Sequence, residues 1–268
     1  MPLIPIDSLD DPRLERYRDL PRHNPIRQAG YFVVEGRWLV ERLLSSPHPV
    51  HSILVDELRL NLVPATVLPS LPIYVLPAGC LQTVIGFHFH RGILGCGIRE
   101  PLDSTWQPAA TVGRQTIVVC VDIQDPTNLG GILRNGAAFG VDAVWLTRRC
   151  ADVFSRRVLR VSMGTAFKLR LVEVDDLPGH LTRLSEQHGF ESWATVLSDR
   201  AESLPLAGRP DRVALLIGNE GHGLPEEVVA CCSRLITIPM RLETDSLNAA
   251  VASGIFLWEL QKGMSGDR

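Results

Sequence analysis

The feature that most constrains this chain is the alternation of apolar, strand-like runs with helical segments from residue 116 onward. The run TIVVCVDI is apolar over most of its length, which is typical of a parallel strand covered on both faces. Helical and strand-like segments then follow in turn, as far as a final apolar helix in SLNAAVASGIFLWELQKG. Strands that alternate with helices in this way predict an α/β domain with a mostly parallel sheet and helices on both faces.

The first 100 residues show a weaker version of the same alternation. YFVVEG is typical of a short strand and turn, and RWLVERLLSS of an amphipathic helix with Trp38, Leu39, Leu43 and Leu44 on one side. Residues 101–115 lose this periodicity and carry Pro, Ser, Thr and Gly, which is typical of a linker. We therefore predict a small α/β domain over 1–100, a linker over 101–115 and a larger domain over 116–268.

The composition argues against several classes of protein. No apolar run reaches the roughly 18 residues that a membrane span needs. The N-terminal stretch lacks the basic and apolar regions of a secretory signal, and the six cysteines form no CxxC pair. We expect a cytoplasmic protein without a membrane segment and without a bound metal.

The basic residues are unevenly placed, although the net charge of −3 argues against wholesale binding of nucleic acid. One run is opposed within its own stretch by Asp152 alone, and it consists of Arg148, Arg149, Arg156, Arg157, Arg160, Lys168 and Arg170. Because arginine binds phosphate through two parallel hydrogen bonds, the run indicates a local RNA contact centred on Arg156, Arg157 and Arg160. A solvated face balanced by acids elsewhere in the sequence is the alternative.

The segment DPTNLGGILRNGAAFG, residues 125–140, follows the buried strand. It contains neither a phosphate-binding GK[ST] loop nor a GxGxxG fingerprint. A turn at the carboxyl end of a sheet strand is nevertheless where open α/β sheets bind ligands. Arg134 lies in an otherwise apolar helix and is either a solvent-facing helix former or a functional residue. Asn128 alone is equally typical of a turn.

Two later segments have a similar character. LLIGNEGHGLPEE, residues 215–227, is a strand that ends in a glycine-rich turn, where a flat ligand can approach the backbone closely. In IPMRLETDSLNAAVASG, residues 238–254, we expect Ser246 or Asp245 to cap the last helix, with Asn248 in its first turn.

Taken together, the three segments resemble the motifs of the SpoU (TrmH) family of RNA ribose 2′-O-methyltransferases, within the SPOUT superfamily. The positions that match are Asn128, Gly130, Arg134, Phe139 and Gly140, then Gly218, Glu220, Gly223 and Leu224, then Ile238, Pro239, Met240, Ser246, Leu247 and Asn248. The resemblance covers about residues 116–262. The chain departs from the family in residues 241–245, which lack the glycine that the family often has there.

This resemblance implies a catalytic site and a cofactor. Arg134 would act on the ribose 2′-hydroxyl, and four residues would orient Arg134 and the ribose: Asn128, Glu220, Ser246 and Asn248. The methyl donor S-adenosylmethionine would be held by backbone groups of Gly218, Ile238 and Leu247, with Thr195 close by.

The resemblance also implies a fold and an assembly. The C-terminal part of the sheet would be tied in a deep trefoil knot, and the enzyme would act as a homodimer with the last helix at the interface. FVVEGR and HRGIL in the first 100 residues are similar to a ribosomal-protein-like α/β domain that binds substrate RNA.

Three other functions were weighed against methylation of ribosomal RNA. Transfer RNA is the alternative substrate for the same reaction. A non-catalytic RNA-binding protein on this fold is expected to have lost Arg134 or Asn248, and both are present. A nucleotide-dependent oxidoreductase needs a GxGxxG motif followed by an acidic residue, and the sequence has none.

Overall fold

The protein was described through a computed structural model, which covers residues 3–18, 20, 30–109, 113–241 and 246–262. By its internal contacts the chain forms two compact units. The first consists of Met1–Pro101 with Phe154–Phe167, and the second of Leu102–Val153 with Lys168–Arg268. Residues 154–167 belong to the predicted second domain, whereas their contacts assign them to the first unit.

The helices and strands follow one another along the whole chain. The α-helices of the described residues are α1 (Arg37–Leu44), α2 (Cys80–Ile85), α3 (Pro126–Ala138), α4 (Arg156–Val161), α5 (Leu177–His188), α6 (Glu226–Ala230) and α7 (Ala249–Gln261). The strands are β1 (Leu3–Pro5), β2 (Tyr31–Glu35), β3 (Val50–Asp56), β4 (Ile73–Leu76), β5 (Ile93–Ile98), β6 (Gln115–Cys120), β7 (Ala143–Thr147), β8 (Leu171–Val174), β9 (Glu191–Thr195), β10 (Glu202–Ser203), β11 (Arg212–Ile217) and β12 (Arg234–Thr237). Within the described ranges, no helix combines the length and the apolar character that crossing a membrane requires.

The first unit is built on a five-stranded mixed sheet in the order β1-β4-β3-β5-β2. Helix α1 packs on β5 and β2, and α4 packs on β2. The prediction that Trp38 lies on the apolar side of its helix is wrong, because 69% of this residue is exposed. Leu39 and Leu43, which were predicted for the same side, are buried together with Val40, since residues at this spacing line one side of a helix. The short helix α2 was not predicted from the sequence.

The second unit contains a seven-stranded sheet in the order β10-β12-β9-β11-β6-β7-β8, and every neighbouring pair is parallel. This confirms the predicted α/β class with a large parallel sheet. Strand β6 is buried at all six positions, as its continuous apolar run indicated. Trp145 on β7 and Trp193 on β9 are fully buried and anchor the interior.

Two helix caps set the positions of the functional segments. Helix α3 begins after Asp125, whose side chain accepts a hydrogen bond from the Thr127 N–H, with Pro126 in the first turn. Helix α7 begins after Asn248, whose Oδ1 accepts hydrogen bonds from the N–H groups of Ala250 and Val251. The prediction that Ser246 or Asp245 caps this helix is therefore wrong for Ser246, and Asp245 lies outside the described residues. Asparagine is as good an N-cap as serine, so residue type alone could not choose between them.

Candidate active site

The functional segments gather at one edge of the parallel sheet. Strands β12, β9, β11 and β6 are neighbours that run in the same direction, so their carboxyl ends lie side by side. Cys120 pairs with Ile217, and Thr195 pairs with Ile236, at or next to the last residue of each strand. Asn128 lies in the segment after β6, Glu220 in the turn after β11 and Ile238 directly after β12. Thr195 is the last residue of β9. This is the edge at which α/β sheets bind ligands.

Three side chains from the three motifs form one hydrogen-bonded network. The Asn128 Nδ2 donates to Glu220 Oε1 at 2.6 Å, and the Asn248 Nδ2 donates to Asn128 Oδ1, also at 2.6 Å. Asn248 in turn accepts from the first N–H groups of α7 at 3.0 and 3.2 Å. The network therefore connects a carboxylate to the amino end of a helix, whose dipole favours nearby negative charge.

Asn128 is the centre of this network and is only 6% exposed. Its amide group has both ends engaged, one as donor and one as acceptor. A carboxylate can only accept, which fixes the Asn128 NH₂ toward Glu220 and its oxygen toward Asn248. The side chains of Glu220 and Asn248 reach the surface, so the network has one buried member and two that face solvent.

The turn that carries Glu220 is shaped by a neighbouring residue that the sequence analysis did not single out. The Asn219 Oδ1 accepts from the N–H groups of Gly221 and His222, and its Nδ2 donates to the Asp122 carbonyl at 2.8 Å. At Gly218 an added Cβ would lie 2.4 Å from the Gly223 carbonyl carbon, so only glycine fits there. An asparagine beside several glycines is the sequence signal that could have indicated such a turn.

The four residues predicted to hold the cofactor lie along the same edge. Thr195 ends β9, Gly218 follows β11 and Ile238 follows β12, and these three strands are adjacent. The Thr195 Oγ1 donates to the carbonyl of Leu216 at 2.8 Å, which ties the end of β9 to β11. Leu247 precedes the cap of α7 and is 36% exposed. The structure brings the first three together on neighbouring strands and puts Leu247 next to the polar network through Asn248.

Helices α3 and α7 pack against each other and hold the first and third motifs together. At Gly131 an added Cβ would lie 2.5 Å from the Cβ of Ala250, so the helices touch closely there. The Asn135 Nδ2 donates to the carbonyl of Ala250 at 2.7 Å and to the Ser253 Oγ at 2.9 Å. The Asn135 side chain therefore fastens α3 to α7 in this chain.

Arg134 and Ser246 stand apart from the network. Arg134 lies six residues after Asn128 on α3, about 9 Å further along the helix axis, and its side chain is exposed. Ser246 is also exposed, two residues before the cap of α7. Within the described chain, the structure thus unites three of the five predicted catalytic residues and leaves these two facing solvent.

Cys120 and Cys150 lie near this edge of the sheet, and their thiols are poor candidates for nucleophiles or metal ligands. Burial raises the pKa of Cys120 well above its usual value and raises the pKa of Cys150 as well. A thiol with a raised pKa stays protonated at neutral pH and is a poor nucleophile or metal ligand. The described residues contain no group of three or more His, Cys, Asp or Glu side chains that could hold a metal ion.

The three arginines predicted to contact RNA all lie on α4, in the first unit, but in different surroundings. The Arg156 side chain forms an ion pair with Glu35, which is only 5% exposed, and its guanidinium lies 4.3 Å from the centroid of the Phe87 ring. This contact gives Arg156 a role inside the protein. Arg157 is exposed and Arg160 partly exposed. Contact with RNA stays a prediction for all three.

Other members of the basic run also have acidic neighbours that are distant in sequence. The ion pairs join Arg148 to Glu173 and Asp175, Arg149 to Asp122, and Arg170 to Asp103. These arginines remain largely exposed, and surface pairs of this kind contribute little to stability. The run is therefore less positive as a surface than its local sequence indicates, because the fold brings acids to it.

Comparison with known proteins agrees with this geometry. The model of the SpoU rRNA methylase family matches residues 115–258. An uncharacterized tRNA/rRNA methyltransferase of Mycobacterium bovis is 36% identical over 93% of this chain and 88% of its own length. A Bacillus subtilis 23S rRNA guanosine 2′-O-methyltransferase is 28% identical over 96% of this chain and 98% of its own.

A solved structure shows the same fold over the whole chain. The AdoMet-bound rRNA methyltransferase from Sinorhizobium meliloti superimposes with a TM-score of 0.82, at 23% identity, over 98% of this chain and 99% of that one. The matched region contains all three motifs and the polar network that joins them. On the family model and the 36% identical relative, the chain belongs to the SpoU family of rRNA methylases.

Proposed function

We propose that this chain is a cytoplasmic enzyme that transfers a methyl group from S-adenosylmethionine to a ribose 2′-hydroxyl of ribosomal RNA. The network of Asn128, Glu220 and Asn248 carries the proposal, because it joins three distant motifs at the ligand-binding edge of the sheet. The names of the Bacillus and Mycobacterium relatives support the reaction and its RNA substrate. Transfer RNA is the second candidate substrate, since the name of the Mycobacterium relative includes it.

The residues along the sheet edge fit the proposed cofactor. Backbone groups at Gly218, Ile238 and Leu247, with Thr195 beside them, would hold its adenosine part. A planar ring is held well by a narrow site with apolar walls and few polar groups, and this edge offers glycine, isoleucine and leucine. When bound, S-adenosylmethionine supplies the sulfonium methyl group that is transferred. A deep trefoil knot in these loops is part of the proposal, and the placement of β12 on the far side of β9 from β11 supports it.

Arg134 would act on the attacking hydroxyl. A ribose hydroxyl is a weak nucleophile, so the enzyme must stabilise the negative charge that develops on its oxygen. A guanidinium carries only N–H donors and has no acceptor atom, so it is poorly suited to take the hydroxyl proton as a general base. Arg134 therefore stabilises the developing alkoxide and holds the adjacent phosphate, rather than removing the proton.

The polar network would position the reacting groups. Asn128 is held from both sides, so it keeps the carboxylate of Glu220 and the amide of Asn248 in fixed places at the rim of the site. Holding the reacting atoms in line is worth orders of magnitude in rate, and small displacements lose much of that gain. Ser246 would add a hydroxyl beside this rim. Arg157 and Arg160 would contact phosphates of the bound RNA.

A homodimer is the proposed assembly, with α7 at the interface. Val251, Ile255 and Trp258 lie on one side of this helix and are 53%, 37% and 62% exposed. A helix of a soluble protein rarely leaves such an apolar stripe in water, and stripes of this kind mark interfaces between chains. The exposed position of Arg134 within one chain fits a site that a second copy completes.

The test is a map of ribose methylation in cells that lack the protein. Alkaline fragmentation of ribosomal and transfer RNA from the deletion strain should show one 2′-O-methyl mark missing from ribosomal RNA. The mark should return with the wild-type chain and stay absent with Arg134→Ala. A mark lost from transfer RNA supports the second substrate. An unchanged map would overturn the proposal in favour of a non-catalytic RNA-binding protein. Restoration of the mark by Arg134→Ala would remove Arg134 from the mechanism.

A further inference from the structure

Trp38 lies on the outer face of α1 in the first unit, and 69% of it is exposed. Its helix neighbours Leu39, Val40 and Leu43 are buried, so the core of the unit is complete without it. A tryptophan has a large apolar surface, and its transfer from water to an apolar contact is favourable. An exposed tryptophan can therefore contribute this free energy to the binding of a partner. The residue is therefore available for a partner outside the chain.

The neighbours of Trp38 on the helix are charged. Arg42 stands four residues later and so lies on the same side of the helix as Trp38. Its guanidinium donates to the Met163 carbonyl, a neutral acceptor that leaves the full positive charge in place. The nearby Glu41 is engaged by Arg37, whose Nε lies 2.8 Å from its carboxylate. The surface around Trp38 is thus aromatic and cationic, with its acid already paired.

The turn that meets Arg42 fixes the position of this side chain on the surface of the first unit. Met163 has a φ of +54°, a left-handed conformation that a side-chain-bearing residue seldom adopts, and it is 37% exposed. An added Cβ at Gly164 would lie 2.9 Å from Leu39 and 3.4 Å from Arg42, so the turn is fitted tightly against α1. This φ belongs to the C-terminal cap of α4, in which the Met163 N–H donates to the Arg160 carbonyl and the Gly164 N–H to the Leu159 carbonyl. The cap fixes the place at which the Met163 carbonyl meets Arg42.

We propose that Trp38, with Arg42 and Met163 beside it, forms a platform on which one unpaired base of the substrate RNA stacks. Proteins that read single-stranded RNA use an exposed aromatic ring for the base and arginine for the adjoining phosphate. A protein partner would need further apolar surface around the ring, and here the helix neighbours are Arg37, Glu41 and Arg42. The inference rests on the proposed function only in that RNA is the substrate.

The platform can be tested by the affinity of the full-length protein for RNA. The probe is a fluorescein-labelled oligoadenylate about 12 nucleotides long, a length that spans a typical single-strand site. Trp38→Ala should raise its Kd about tenfold, within the range known for loss of one base–aromatic stack. Trp38→Phe keeps a ring and should stay within about threefold of wild type, whereas Leu68→Ala, at an exposed apolar residue elsewhere in the first unit, should have no effect on Kd.

The salt dependence separates stacking from charge. Trp38→Ala should leave the slope of log Kd against log salt unchanged, because a stacked base releases no counterion. Arg42→Gln keeps a donor for the Met163 carbonyl but should reduce that slope by about one. Affinity for S-adenosylmethionine should be unaltered in both variants.

Two results would overturn the platform. Wild-type affinity in Trp38→Ala would show that no base stacks there. Equal losses in Trp38→Ala and Trp38→Phe would show that a ring is not what the RNA requires. Failure of the proposed function is a different result, namely RNA binding by the wild-type chain without methyl transfer.

Discussion

Helices α1 and α7 each present an exposed tryptophan, and their surroundings differ. Trp38 on α1 is 69% exposed and is flanked by the charged residues Arg37 and Arg42. Trp258 on α7 is 62% exposed and continues an apolar stripe through Ile255. The same side chain, at nearly the same exposure, therefore suits an RNA base in the first unit and a second copy of the chain in the second.

The difference shows that the residues around an exposed aromatic ring indicate which kind of partner the ring suits. A ring beside arginine favours the base and phosphate of a nucleotide, whereas a ring beside Val251 and Ile255 favours another apolar surface. It also separates the tasks of the two units. Under the proposals above, the first unit contributes recognition of RNA, and the second unit, where the polar network lies, contributes chemistry and self-association.

The largest expected effect is on chemistry in the second unit. Arg134→Ala removes the charge that is proposed to stabilise the developing alkoxide, so methyl transfer should slow by at least about 100-fold. The measurement is the single-turnover rate at saturating RNA and S-adenosylmethionine, with affinity for both determined separately. Arg183→Ala, on α5 of the same unit, is the matched control and should keep the wild-type rate. A rate within threefold of wild type for Arg134→Ala would remove Arg134 from the mechanism.

The next effect concerns self-association. Trp258→Ser places a small polar side chain in the apolar stripe and should convert the dimer to a monomer at micromolar concentration, because large aromatic residues dominate such interfaces. Sedimentation velocity measures the mass directly. Trp38→Ser makes the identical substitution on α1 and should leave the dimer intact. A monomeric wild type, or dissociation by Trp38→Ser, would reverse the assignment of the two surfaces.

The smallest effect is on the stability of the first unit. Arg156→Ala leaves the carboxylate of Glu35 buried without its partner, which should destabilise this unit by about 2 kcal/mol, below the range for a fully buried pair because Arg156 is partly exposed. Amide hydrogen exchange in β2 reports this loss locally. The double variant Glu35→Gln with Arg156→Gln removes both charges and should recover much of the stability. Unchanged hydrogen exchange in Arg156→Ala would show that the ion pair with Glu35 does not stabilise the unit, and it would favour a contact of Arg156 with RNA instead.

The sequence was sufficient for the features that depend on local pattern. The continuous apolar run of β6 predicted a buried parallel strand, and the alternation after it predicted the large sheet. The motif residues Asn128, Glu220 and Asn248 follow from the sequence alone, and the structure joins them directly.

The features that the sequence missed depend on contacts between distant residues. Arg156 was interpreted by its basic neighbours, whereas its partner Glu35 lies 121 positions away. Several polar residues before α7 could cap this helix. The residue that does so, Asn248, also donates a hydrogen bond to Asn128, which is distant in sequence. The exposure of Trp38 depends on which side of α1 packs on the sheet. Leu39, Val40 and Leu43 take that side, and Trp38 is left exposed.

The most direct test of the central claim is methyl transfer to an RNA that lacks the proposed acceptor. A ribosomal RNA fragment containing the nucleotide identified by the deletion map is prepared with ribose or with 2′-deoxyribose at that single position. The wild-type protein with S-adenosylmethionine should methylate the first and leave the second unmodified, while binding both with similar affinity. Equal methylation of the two fragments would show that the acceptor is not the 2′-hydroxyl and would contradict the account.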